Sequence, residues 1–101
     1  MSNLKKTNDW YKPGIARIIC KTKNKAFFCH SMILIAVIQE ILSSLEAGDF
    51  TNSEMQGDYN IYGVDDFSIE CLSSGEESCG SFFNRLALIE KFKSEWKGDF
   101  Y

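Results

Sequence analysis

The four cysteines, Cys20, Cys29, Cys71 and Cys79, and the single histidine, His30, are the residues whose side chains suit zinc binding or nucleophilic and acid–base chemistry near neutral pH. Cys20, Cys29 and His30 with either later cysteine would supply the four ligands zinc takes, but no C-x-x-C pair is present, and structural zinc sites are commonly built on such pairs. The start of the chain, Met1 to Lys6, is polar and lacks the apolar stretch of a secretory leader. The expectation is therefore reduced thiols in the cytoplasm of the host cell, with no metal and no other cofactor. His30 as a base would need a nucleophile or metal beside it, so it reads as a structural histidine.

A second kind of chemistry is charge. Residues 1–25 carry seven Lys or Arg and one Asp, whereas residues 26–84 carry ten Asp or Glu and no cation. Neutralising phosphates requires cations, so a protein that wraps nucleic acid over its whole surface is excluded. Lys21, Lys23 and Lys25, close together in one polar turn, are the candidates for a weak, salt-sensitive phosphate contact. The acidic segment over residues 65–77, with Asp65, Asp66, Glu70, Glu76 and Glu77, is either a mimic of phosphate spacing or a solvated face.

The elements that must position these groups follow from periodicity. The chain has 101 residues, 45% of them hydrophobic, enough to bury one core. Its longest unbroken apolar run, Met32 to Ile38, is far below the roughly 20 residues needed to span a bilayer, so no membrane partner is expected. Residues 1–11 read as a flexible basic arm. Gly14 to Cys20 and Ala26 to Cys29 read as a hairpin. A helix from Met32 to Leu45, capped by Ser31 and stopped by Gly48, presents Leu34, Ile38, Leu42 and Leu45 to the core. Ile33, Val37 and Ile41 form a second apolar stripe on it, which calls either for a partner or for an enlarged core sealed by Trp10 and Tyr11. Asn52 or Ser53 starts a second helix with Met55, Tyr59 and Tyr62 on one face and Gly63 as its stop. Asp66 to Leu72 alternates as a strand, residues 73–80 read as an acidic loop, and a last helix from Ser81 to Trp96 is expected to bury Phe82, Leu86, Ile89 and Phe92.

The order of these elements carries specific residues. Lys12-Pro13-Gly14-Ile15, Lys25-Ala26-Phe27-Phe28, Leu45-Glu46-x-Gly48, Asn52, Met55-Gln56, Asp58-Tyr59-Asn60, Tyr62-Gly63 and Phe67-Ser68-Ile69 together resemble the GIY-YIG endonuclease domain, in its compact phage homing-endonuclease branch. The similarity spans Lys12 to Tyr101, and the block from Leu45 to Gly63 is its most specific part. It implies an α+β fold, a small three-stranded antiparallel sheet flanked by three helices, with residues 12–101 as the domain. In that family it also implies metal-dependent cleavage of a DNA phosphodiester, in which a metal offsets developing charge and an arginine clamps the phosphate. Carried over residue by residue, the two strand tyrosines fall on Ala16 and Phe27, the helix arginine and histidine on Val37 and Ile41, and the metal-binding glutamate on Arg85, or on Leu86 if the loop differs by one residue.

No family catalytic group stands at these positions, and Ala16, Phe27, Val37 and Ile41 would turn a wet pocket into an apolar face that suits no Mg²⁺. The expectation is a pseudo-nuclease of phage or mobile-element origin. It would bind protein, either a partner or a second copy, through Ile33, Val37, Ile41, Phe27 and Ala16, and would inhibit or regulate a host or competitor nucleic-acid enzyme. The alternative is a non-cleaving DNA-binding module that uses the basic hairpin. A third reading is a nuclease with residual or altered chemistry.

Overall fold

The computed structural model describes residues 7–101. Part of the expected arm, residues 1–6, lies outside the described residues. Thr7–Tyr11 form a 3₁₀ turn. Pro13 and Gly14 lead into β1 (Gly14–Cys20), which turns back as β2 (Lys25–Ser31). The pair is antiparallel, with Cys20 opposite Lys25 and Gly14 opposite Ser31. Asn24 closes the turn at φ 52°, a left-handed conformation that asparagine tolerates better than most residues. Asp66 fixes the same turn from outside, since Thr22 donates to its carboxylate through the backbone N–H (3.0 Å) and the hydroxyl (2.9 Å).

Helix α1 (Leu34–Ala47) starts later than the sequence reading put it. Ser31 Oγ accepts the Ile33 N–H at 3.1 Å, which holds Met32 and Ile33 in a turn ahead of the helix. Gly48 stops it in the left-handed conformation (φ 83°), where a side chain would be strained. Asn52 caps α2 (Ser53–Tyr62) by accepting from the Met55 N–H at 3.0 Å. Strand β3 (Phe67–Ser74) pairs antiparallel with β1, placing Ala16 between Cys71 and Cys29. Gly14 is required there because a Cβ would lie 2.8 Å from the Ser73 carbonyl oxygen and 3.0 Å from Leu34 Cδ2.

Three expectations change. The acidic loop holds a short helix, α3 (Glu76–Cys79). The sheet has four strands rather than three, in the order β3-β1-β2-β4, because β4 (Asp99–Phe100) pairs in parallel with Lys25 and Ala26. A two-residue strand leaves no periodic signal to read. Helix α4 (Phe82–Glu95) also turns a different face inward: Arg85 and Ile89 are buried while Phe82 and Leu86 are exposed. The guanidinium finds acceptors under the sheet, which makes its burial tolerable and frees the aromatic side to face out.

The core lies in two layers. Ala16, Ile18, Cys29, Leu34, Ile38, Leu45 and Met55 pack on the α1 side of the sheet, and Ile15, Cys79 and Ile89 on the α4 side. Trp10 is buried, but it packs near Ile35, Ile38 and Leu42 rather than over the Ile33, Val37, Ile41 stripe, and Tyr11 is exposed. Tyr62 is also exposed rather than part of the α2 core face. No helix among the described residues is long and apolar enough to cross a membrane.

Candidate functional site

The concave surface beside β2 is built from three pieces of chain. Phe27, Phe28, Cys29 and His30 come from β2, Val37, Glu40, Ile41 and Ser44 come from one flank of α1, and Asp49, Phe50 and Thr51 come from the loop after Gly48. They enclose a cleft of about 390 Å³. The Phe27 and Phe50 rings meet edge to face at 5.4 Å, a favoured aromatic geometry. Phe50 is held there because its N–H donates to Gln56 Oε1 at 2.9 Å. Gln56 is itself buried, and its amide donates to the Leu45 carbonyl (3.0 Å) and to Asn60 (2.9 Å). The Leu45 to Gly63 segment thus works as a clamp that seats one wall of the cleft, and the Tyr59 hydroxyl, donating to Glu46, closes it.

The residues singled out in sequence divide. Phe27 and Val37 are half-buried on the cleft. Ile41 lines its floor but is a core residue, and Ala16 is wholly buried at the centre of the sheet, so neither offers surface to a partner. Ile33 is exposed, sits at the start of α1 and does not line the cleft. The five residues therefore do not form one contact face: along the stripe burial deepens from exposed Ile33 through half-buried Val37 to buried Ile41. Phe50, Glu40 and Asp49 were missed. The signal for Phe50 was an aromatic residue stranded between a helix stop and a helix cap, where only packing back on the helix hides it.

Arg85 lies on the other side of β2. Its guanidinium donates to His30 Nδ1 (3.0 Å) and to the Cys79 carbonyl (3.0 Å), with Met32 Sδ at 3.1 Å. Burial lowers the His30 pKa, and the neighbouring Arg85 charge lowers it further, so the ring is a neutral acceptor at Nδ1. Phe82, 52% exposed, covers this pair from outside, with its ring 5.8 Å from His30 and 5.9 Å from the guanidinium carbon. Phe83 (78%), Met32 and Leu86 extend the exposed apolar surface around it.

Two of the three candidate phosphate contacts are already engaged. Lys25 pairs with Glu54 and Lys23 with Asp58 at 3.5 Å, both carboxylates from α2. Lys21 is exposed. Arg17 pairs with Glu70 at 2.5 Å and lies over the Trp96 ring at 4.8 Å. Residues 70 and 17 are cross-strand neighbours, so part of the acidic segment serves the fold.

The cleft does not fit the divalent metal that the family resemblance implies. Mg²⁺ takes oxygen ligands and water, whereas Phe27, Phe28, Val37, Ile41 and Phe50 present carbon, His30 Nδ1 already accepts from Arg85, and the remaining oxygens belong to Ser44, Thr51 and the exposed rim carboxylates of Glu40 and Asp49. Among the described residues no three His, Cys, Asp or Glu side chains gather as a metal site would need. Burial pushes the Cys29 thiol up to about 12, so it is a protonated core thiol.

The backbone arrangement of this chain matches solved structures. The catalytic domain of homing endonuclease I-TevI matches with a TM-score of 0.72 at 18% sequence identity, over 84% of this chain and 88% of that one. The chain has a GIY-YIG-like fold. A mutant of the catalytic domain of intron endonuclease I-TevI matches it equally, with a TM-score of 0.71 at 18% identity over 84% of each chain. No family model and no curated protein matches the sequence. In this chain β2 and α1 line one cleft whose inside is largely apolar and whose rim is acidic.

Proposed function

We propose that this GIY-YIG-like chain is a non-cleaving protein of mobile-element origin that works by binding another protein, as an inhibitor or regulator of a nucleic-acid enzyme. The observation that carries this reading is the lining of the β2–α1 cleft: mainly Phe27, Val37, Ile41 and Phe50 inside, together with the neutral polar groups of His30, Ser44 and Thr51; Glu40 and Asp49 at the rim; and no Lys or Arg. A phosphodiester entering there would lose hydration without gaining a cation, and its charge would be repelled at the rim. Two of the three hairpin lysines that could compensate, Lys25 and Lys23, are paired with Glu54 and Asp58. Exposed Phe82, Phe83, Leu86 and Met32 near the same strand are the kind of apolar surface that marks protein contacts. The homing-endonuclease likeness of the fold supports the mobile-element origin.

The test uses the full chain with supercoiled plasmid and Mg²⁺ or Mn²⁺, and in parallel a gel shift of short duplex DNA at low salt. Intact plasmid and unshifted DNA are expected. Cleavage that disappears when a residue of this chain is substituted would overturn the proposal, and a shift lost on changing Lys21, Lys23 and Lys25 would replace it with DNA binding.

A further inference from the structure

Among the described residues, strand β2 is an edge for most of its length. On its inner side it pairs with β1 over all seven residues, but on its outer side β4 covers only Lys25 and Ala26. The outer bonds fix which backbone groups point outward: Asp99 N–H donates to the Asn24 carbonyl (2.9 Å) and Tyr101 N–H to the Ala26 carbonyl (3.1 Å). Hydrogen-bonding direction alternates along a strand, so the next outward groups belong to Phe28 and His30. Among the described residues no strand lies against them. An unpaired edge of this kind is a template for an added strand unless something blunts it. No lysine, proline or bulge does so between Phe27 and Ser31.

We infer that this edge takes an extended segment of a partner protein as a further strand, bonded to the N–H and C=O groups of Phe28 and His30. The inference rests on the protein-binding reading above and names its mode. Two clefts flank the edge where alternate side chains of such a strand would go. On the α1 side lies the cleft of about 390 Å³, and on the α4 side a second of about 500 Å³ bounded by Phe28, Phe100, Glu90 and Lys93. Strand addition gives affinity through the main chain and specificity through such pockets. Charge selects the residues. The α1-side cleft has an apolar wall and an acidic rim, which suits Lys or Arg: the stem packs on Phe27 and Phe50 and the head reaches Glu40 and Asp49. On the α4 side Glu90 and Lys93 offset each other, which suits an uncharged apolar residue. The occupant is therefore a strand that alternates basic and apolar residues. A second copy of this chain would bring two acidic rims to one seam, and nucleic acid would meet the same repulsion.

The probe is a random twelve-residue peptide library displayed on phage and selected on the full chain. Enriched peptides should alternate Lys or Arg with apolar residues at i, i+2 spacing. Bound as free peptides, they should protect the Phe28 and His30 amides from hydrogen exchange, and backbone N-methylation of the peptide should abolish binding. Glu40→Gln with Asp49→Asn should weaken them about fivefold to tenfold, as two exposed ion pairs would. Enriched peptides that leave both amides unprotected, or that carry helical i, i+3, i+4 spacing, overturn strand addition while leaving a protein-binding cleft standing. No enrichment overturns strand addition, and if plasmid is also cut the protein-binding reading falls with it. Concentration-dependent protection of the same amides without peptide assigns the edge to a second copy and overturns the foreign partner.

Discussion

Gln56→Ala probes whether the segment from Gly48 to Gly63 is held by one side chain. Gln56 is 8% exposed and makes three hydrogen bonds: from the Phe50 N–H to its Oε1, and from its amide to the Leu45 carbonyl and the Asn60 side chain. Truncation affects these groups unequally. Asn60 is exposed and recovers water, and the Leu45 carbonyl keeps the Gly48 N–H as a second donor, at 3.2 Å. The Phe50 N–H loses its partner outright. At about 1 kcal/mol for each bond lost, with the larger part at the Phe50 amide, the loss should total about 2–3 kcal/mol. For a domain near 100 residues that corresponds to a Tm lower by about 10 °C, at roughly 4–5 °C per kcal/mol. Urea unfolding followed by far-UV circular dichroism should show the midpoint fall with the slope unchanged. Gln56→Glu is the companion variant: its shape is retained, but an ionised carboxylate cannot donate to the Leu45 carbonyl, so it should also be destabilised at pH 7 and partly recover on acidification. A loss below about 0.5 kcal/mol for Gln56→Ala, or no pH dependence of the difference between wild type and Gln56→Glu, would refute the clamp.

Other outcomes follow from single contacts. Gly14→Ala should cost about 1–3 kcal/mol in the same unfolding assay, because the new methyl meets the Ser73 carbonyl oxygen at 2.8 Å and Leu34 Cδ2 at 3.0 Å and the strand pair must shift. His30 should titrate below its ordinary 6.5 in a histidine NMR pH series, and Arg85→Gln should raise that value by removing the neighbouring positive charge. The sign for stability follows: the unfolded chain binds the His30 proton more readily than the fold, so the contribution is fully present above pH 6.5 and is lost as pH falls from there through the lowered folded value. A His30→Gln variant should lose that slope.

Legibility in the sequence followed the range of the interactions. The hairpin, the Gly48 stop, the Asn52 cap and the Gly63 stop were all readable, because each depends on a residue's own backbone preference or on a partner within four positions. Arg85 was not readable as a buried residue, since its acceptors, His30 and the Cys79 carbonyl, come from distant β2 and nearby α3. Without them an arginine defaults to the surface, and Phe82 and Leu86 are read as core in its place. The stripe of Ile33, Val37 and Ile41 is correct as a helical pattern and misleading as a surface, because the first is exposed, the second half-buried and the third inside. Helical phase says which residues share a face, and only the neighbouring strand decides how much of it stays open.

The sequence by itself determined the order of elements, their principal stops and caps, the charge asymmetry and the apolar residue types near Phe27 and Val37, because these are properties of composition and of short-range spacing. The tertiary structure alone decided which charges are spent and which edge is free. Lys23 and Lys25 pair with carboxylates 35 and 29 residues away, and among the described residues β4 pairs with β2 only at Lys25 and Ala26. Both outcomes depend on groups brought together by closing long loops. No local pattern encodes that pairing, whose energy exists only once the sheet and α2 are in place.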